Sequence, residues 1–222
     1  MKEFIDKFRK ELEQFWKWEG LTLEDYENGK KQFIQDECFY PNWNKLVEYS
    51  DKTIEILREG VKSLALINSL LELIAIDNEG EITMEKCEEL LETEAIEWIA
   101  EAAICFPMCD ARWQIAELLG RSNNEICYRY LLVFIEDENK YVQRRALISL
   151  GRINPKKAEE ISIEKLSDND DYMMRLVSLM ILREVRSEYL NKAIKILEND
   201  QFECVQREIE LAKEDIFNWN DV

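Results

Sequence analysis

Asp137-Glu138-Asn139-Lys140-Tyr141-Val142-Gln143-Arg144-Arg145-Ala146-Leu147-Ile148-Ser149-Leu150-Gly151 is the stretch that decides the fold. Val142, Ala146 and Leu150 recur at i, i+4 and i+8, which puts them on one stripe of a helix. Asp137, five residues ahead of Val142, falls where a turn between two helices is expected. The same figure returns along the chain. Ala111-Arg112 with Ile115, Leu119 and Gly120 comes first, and Met174-Arg175 with Ser178, Leu182 and Arg183 follows Val142-Gln143. Val205-Gln206 with Ile209 and Lys213 is a worn fourth copy. The steps between copies are 31, 32 and 31 residues, and Asn169 and Asp200 stand at the position of Asp137. A helix–turn–helix period near thirty points to a solenoid, because one helix pair cannot bury its apolar face alone.

Outward from this stretch the chain reads as all-α. Only 6 Gly and 3 Pro occur among 222 residues, and no segment alternates long enough for a strand. Phe4, Phe8, Leu12 and Phe15 predict a helix over 3–18 that ends near Gly20. Thr22 and Asp25 form a capping pair for a second helix reaching about Phe39. Pro41 stops it, Asn42 caps a short helix over 43–49, and Ser50 or Asp51 opens a long apolar helix to about Ile76. Two helices over 83–92 and 94–106 precede the first repeat copy. The expected organisation is a divergent N-terminal helical region, 1–94, stacked with repeats over 95–222 as one continuous domain.

The pattern D-x-x-x-x-V-R-x-x-A-x-x-x-L-G over about residues 95–215 resembles the short bacterial form of the HEAT-repeat family, giving an α-solenoid of HEAT-like hairpins. The resemblance implies that Arg112, Asp137, Arg175 and Asp200 are structural, hydrogen-bonding between neighbouring repeats. It also implies that the Ala146 position lets helices approach and that Gly151 permits the turn ending its helix. In this family the second helix of each pair lines the concave surface, so Trp113, just after the motif arginine, is expected to face outward as a binding hot spot. Tyr141 and Tyr172 accompany it.

Composition narrows the function. With no His, the Ser-His-Asp, Cys-His and His-zinc constellations are excluded. A formal net charge of −18 argues against a phosphate backbone as partner. The first residues, Met1-Lys2-Glu3-Phe4-Ile5-Asp6-Lys7, offer no apolar run for a signal peptide. The longest uncharged apolar stretch, Ser63 to Leu71, falls short of the ~20 residues of a membrane span. A cytoplasmic chain with no membrane partner is expected, and its six cysteines are read as buried free thiols.

Charge is unevenly shared. Residues 1–110 hold 12 basic and 26 acidic side chains, and Leu71 to Asp110 holds twelve acids against the single Lys86. Glu85, Glu88, Glu89 and Glu92 line one helix beside a buried Met84-Cys87-Leu91 stripe. Glu94, Glu97 and Glu101 align outward on the next, opposite Ile96, Ile99 and Ala103. Like charges at such spacings repel, by about 0.2–0.5 kcal/mol per pair. A cationic partner would relieve that strain and be steered by the same field.

Two acidic runs are set aside. A calcium loop around Gly80 would put Ala75 and Lys86 at ligand positions, so Asp77–Ile82 reads as a turn with a helix cap. Asp168-Asn169-Asp170-Asp171 falls in an interhelical turn. No phosphate loop, nucleophile elbow or acid–metal motif occurs, and no cofactor is called for.

The expectation is therefore a binder and not an enzyme. Its partner is a basic protein, with no nucleic acid, met through Glu85, Glu88, Glu89, Glu92, Glu94, Glu97, Glu101, Asp110, Trp113, Tyr141 and Tyr172. Among short acidic proteins of the resembled family a recurrent role is immunity, the neutralisation of a basic, nuclease-like toxin. The alternatives are an adaptor or scaffold in a larger complex and a HEAT-like DNA glycosylase. The glycosylase would use Trp113 with Asp110 and a basic edge of Arg144, Arg145, Arg152, Lys156 and Lys157.

Overall fold

The computed structural model describes residues 1–27, 36–122, 124, 127–167 and 170–220, and these are all-helical, with no strand among them. In chain order the helices are α1 (Lys2–Glu19), α2 (Leu23–Glu27), a 3₁₀ turn (Glu37–Phe39), α3 (Trp43–Arg58), α4 (Leu64–Ile76), α5 (Ile82–Leu90) and α6 (Thr93–Ala103). There follow α7 (Cys109–Arg121), α8 (Tyr128–Phe134), α9 (Lys140–Ile153), α10 (Pro155–Lys165), α11 (Tyr172–Glu184), α12 (Leu190–Leu197) and α13 (Glu203–Asn220). The chain forms two compact units, Met1–Ser122 and Asn123–Val222. Helix α7, which carries the first repeat copy, belongs to the first of them, and residue 94, the expected limit of the N-terminal region, lies within that unit.

The first unit is organised around α4. Leu66, Ile67, Leu70, Leu71, Leu73, Ile74, Ala75 and Ile76 are completely buried, as expected of a helix apolar on nearly every side. It packs against α1, α3, α6 and α7. Gly20, in the left-handed region at φ 72°, closes α1 where the sequence placed its end. Thr22 Oγ1 donates to Asp25 Oδ2 at 2.9 Å and accepts from Asp25 N–H at 3.0 Å, the expected capping pair. Residues 28–35 of the helix expected to follow lie outside the described residues.

The next boundary differs from the sequence reading. Helix α3 runs through Ser50 and Asp51 to Arg58, and α4 starts only after a break at Gly60, φ 83°. Ser50 Oγ donates to the Val47 carbonyl and Thr53 Oγ1 to the Tyr49 carbonyl. Both hydroxyls satisfy the preceding turn and so cannot cap a new helix. Asn42 does not cap α3 through its side chain. Its Nδ2 instead donates at 2.7 Å to the buried Glu11, which also accepts from Tyr40 Oη at 2.8 Å and pairs with Lys45. Burial works to raise the Glu11 pKa, but these hydrogen bonds together hold it below the ordinary carboxyl value.

In the second unit the apolar anchors Val142, Met174 and Val205 are each fully buried, and so are Ala146, Ser178, Leu150 and Leu182. Two turns repeat atom for atom. Asp137 Oδ1 accepts from Asn139 N–H at 2.8 Å, as Asp200 Oδ1 does from Phe202 N–H at 3.0 Å. Gln143 Nε2 donates to the Asp137 carbonyl, as Gln206 Nε2 does to the Asp200 carbonyl. Arginines join one hairpin to the next: Arg175 Nε to Asp200 Oδ2 and Arg144 Nη1 to Asp171 Oδ2, both at 2.7 Å. Asp171 also caps α11 by accepting from Met174 N–H, while Asn169, expected at this position, lies outside the described residues. Gly151 does not end its helix. Its φ is not left-handed, and α9 continues to Ile153, where Asn154 and Pro155 start α10.

Candidate functional site

On α5 the Met84-Cys87-Leu91 stripe is buried, and Glu85, Glu88 and Glu89 are exposed, as is Glu92 in the turn to α6. On α6, Ile96, Ile99 and Ala103 are buried, Glu94 and Glu101 are exposed and Glu97 is half-buried. The amphipathic split predicted for both helices is therefore present. Few cations answer these acids. Lys86 is committed to Asp51. Arg121, at the end of α7, is shared by Glu117 at 2.9 Å, Glu81 at 3.3 Å and Glu88 at 3.4 Å. Lys62 meets Glu101 at 2.8 Å. Glu85, Glu89, Glu92 and Glu94 form no ion pair with any described residue.

Asp110 and Trp113 do not join this surface as expected. Trp113 is only 7% exposed, so the outward-facing hot spot is corrected to a packed side chain. Its Nε1–H donates to Asp110 Oδ1 at 3.2 Å, and Tyr26 Oη donates to Asp110 Oδ2. Burial, followed by the Asp110 charge, raises the Tyr26 pKa, so the phenol stays protonated and donating. Both carboxylate oxygens of Asp110 are thus engaged, and the Asp110–Trp113 pair serves as an internal tie.

Tyr141 and Tyr172 lie in the second unit. Tyr141 is 44% exposed, with Arg144 and Arg145 each within 6 Å of its ring. Tyr172 is stacked on Phe202, with centroids 3.9 Å apart and planes 7° from parallel. Among the cysteines only Cys87 and Cys127 are buried. Cys38 and Cys105 are exposed, which corrects the expectation of six buried thiols, and all six are free.

The Asp77 loop is a cap, as read. Asp77, 1% exposed, accepts from Thr83 N–H at 2.7 Å at the start of α5. Its other oxygen has no hydrogen-bond partner. Burial raises its pKa against the pull of the Thr83 and Ile82 hydrogen bonds. Among the described residues no cluster of Cys, Asp or Glu is arranged to hold a metal ion, and no helix is long and apolar enough to cross a membrane. No protein-family model matches the chain, and no curated protein matches it.

Proposed function

We propose that this chain is a non-enzymatic binding protein built of stacked HEAT-like hairpins, which takes a basic protein partner on the acidic face of α5 and α6. The observation that carries this reading is the set of exposed carboxylates of Glu85, Glu89, Glu92 and Glu94, none of them ion-paired with a described residue. Carboxylates left unneutralised on consecutive helices create a field that speeds the approach of a cation and is relieved by it. The buried anchors and the arginine bridges of the second unit support the stacked-repeat reading.

The specific role we propose is immunity, the occlusion of a nuclease-like toxin whose own substrate demands a cationic surface. An adaptor role would use the same face and differ only in partner. The glycosylase alternative loses its best residues, since Trp113 is buried and Asp110 is bonded at both oxygens. Cells making a basic nuclease toxin encoded beside this chain's gene test the proposal. The wild-type chain should protect them, and Lys at Glu85, Glu89, Glu92 and Glu94 should abolish protection. Failure of the wild type to protect removes the immunity role, and salt-sensitive retention of duplex DNA would favour a nucleic-acid partner instead.

A further inference from the structure

Helix α4 has three polar residues in thirteen, Asn68, Ser69 and Glu72. Asn68 and Glu72 fall on one stripe with Leu64, and these three, with the neighbouring Ser69, line a surface groove of about 520 Å³ within the first unit. Leu64 is left 61% exposed there. The volume is within the range of pockets that seat a small ligand or a few residues of peptide.

Two parts of the groove are held in place. Trp16 Nε1–H donates to Glu72 Oε1 at 2.7 Å and orients that carboxylate. The buried Arg112 donates to the carbonyls of Phe106 at 2.7 Å and Pro107 at 2.9 Å, fixing the link that supplies the apolar wall. Two other lining groups are open. The Asn68 carboxamide and the Arg9 guanidinium make no hydrogen bond or ion pair with any described residue.

We infer that this groove seats a short extended segment of the basic partner, one carrying a lysine or arginine beside an apolar side chain; the inference rests on the acidic-face reading above. Glu101 both lines the groove and ends the Glu94-Glu97-Glu101 stripe of α6, so the two surfaces are continuous. The cationic side chain meets Glu72 and takes the place of Lys62 on Glu101, and its apolar neighbour meets Leu64, Phe106 and Pro107. Asn68 offers a donor and an acceptor to a peptide unit, and Arg9 donates to a backbone carbonyl. A simple cation would leave Asn68 and Arg9 unused. An acidic peptide would face two carboxylates.

The test is an NMR titration of the full ¹⁵N-labelled chain with acetyl-Leu-Arg-Leu-amide, and in parallel with acetyl-Leu-Glu-Leu-amide. The Trp16 indole N–H and the Asn68 carboxamide signals report on the groove. Both should shift saturably with the arginine peptide and about tenfold more weakly with the glutamate peptide. Leu64→Arg, at an exposed position that spares the core, should weaken arginine-peptide binding about tenfold. Glu85→Gln, Glu89→Gln, Glu92→Gln and Glu94→Gln combined should leave it within about twofold. Silent reporters, equal binding of the two peptides, or an unaffected Leu64→Arg variant each overturn the groove. If the groove binds as stated while the four-Lys variant still protects against the toxin, the acidic-face reading fails and the groove stands.

Discussion

Arg175 in the second unit and Arg121 in the first are both placed among carboxylates, but they do different things. Arg175 is enclosed, and its carboxylate partner Asp200 lies across a hairpin boundary at 2.7 Å. Arg121 is a quarter exposed and divides itself among Glu81, Glu88 and Glu117 at the edge of a surface whose further acids include several with no ionic partner among the described residues. Charge in the second unit joins helices to helices. In the first it is drawn into buried ties, such as Glu11 and Asp77, spent on half-exposed bridges between helices, such as Lys86 to Asp51, or left facing outward. The same residue types are therefore enclosed between helices in one unit and, on α5 and α6 of the other, left exposed without a described ionic partner.

The sharpest way to break that contrast is Arg175→Ala. Asp200 would stay enclosed without its cation, a situation that costs about 3–5 kcal/mol. In the wild type, burial pushes the Asp200 pKa up, but hydrogen bonds from Arg175 and Phe202 N–H outweigh it and hold the value low. The stability this confers is present above the ordinary carboxyl pKa and lost as pH falls through the lowered one. Urea denaturation should therefore show the Arg175→Ala penalty in full at pH 7 and a smaller one in acid. A penalty independent of pH would mean that the arginine acts by packing alone.

Glu11→Ala asks the same of a buried tie in the first unit. Tyr40 and Asn42 would lose an acceptor and Lys45 its counter-ion, for about 2 kcal/mol. Unlike the Arg175 variant, it removes the charge and leaves only neutral donors and an exposed lysine behind. Calorimetry of the two variants should rank Arg175→Ala as the more damaging, and the reverse order would undo the distinction between the units.

Asp77→Asn has the opposite sign. The amide oxygen can still accept from Thr83 N–H, while the enclosed charge is gone. A carboxyl whose folded pKa is raised contributes stability that is complete below its ordinary value and is lost as pH rises through the raised one. At pH 7 the variant should be more stable, and its stability should fall less than the wild type's as pH rises above the ordinary carboxyl range. Destabilisation at pH 7 would show that the charge at the start of α5 is worth more than its burial costs.

How far the sequence reveals this depends on the distance over which each feature is built. The anchors Val142, Met174 and Val205 and the turn aspartates were legible because a repeat prints the same local solution several times. The split of α5 and α6 into apolar and acidic sides was legible for the same local reason. Ser50 misled because a hydroxyl can cap a helix or bond back to the preceding turn, and only the left-handed Gly60 marked the true break. Trp113 misled because its motif position says nothing of Asp110 and Tyr26, the latter 84 residues from its carboxylate. The groove was not legible at all. Arg9, Leu23, the α4 stripe and the Phe106-Pro107 link come from four separate segments, and nothing in any one of them announces the others.

The smallest expected effect is the most direct probe of the first unit's surface. Glu85 and Glu89 are four residues apart on α5, and Glu92 and Glu94 flank the next helix start, so replacing all four with Gln removes like-charge neighbours without touching a described ion pair. The melting temperature should rise by roughly one or two degrees at low salt, because each relieved pair is worth only tenths of a kcal/mol. The gain should fade as ionic strength shortens the reach of these charges. In the second unit Asp171, Asp200 and Glu208 each hold an arginine, and replacing those three would destabilise. A drop in melting temperature on neutralising the first-unit set would mean that those carboxylates hold the fold together after all. They would then no longer be free to meet a partner.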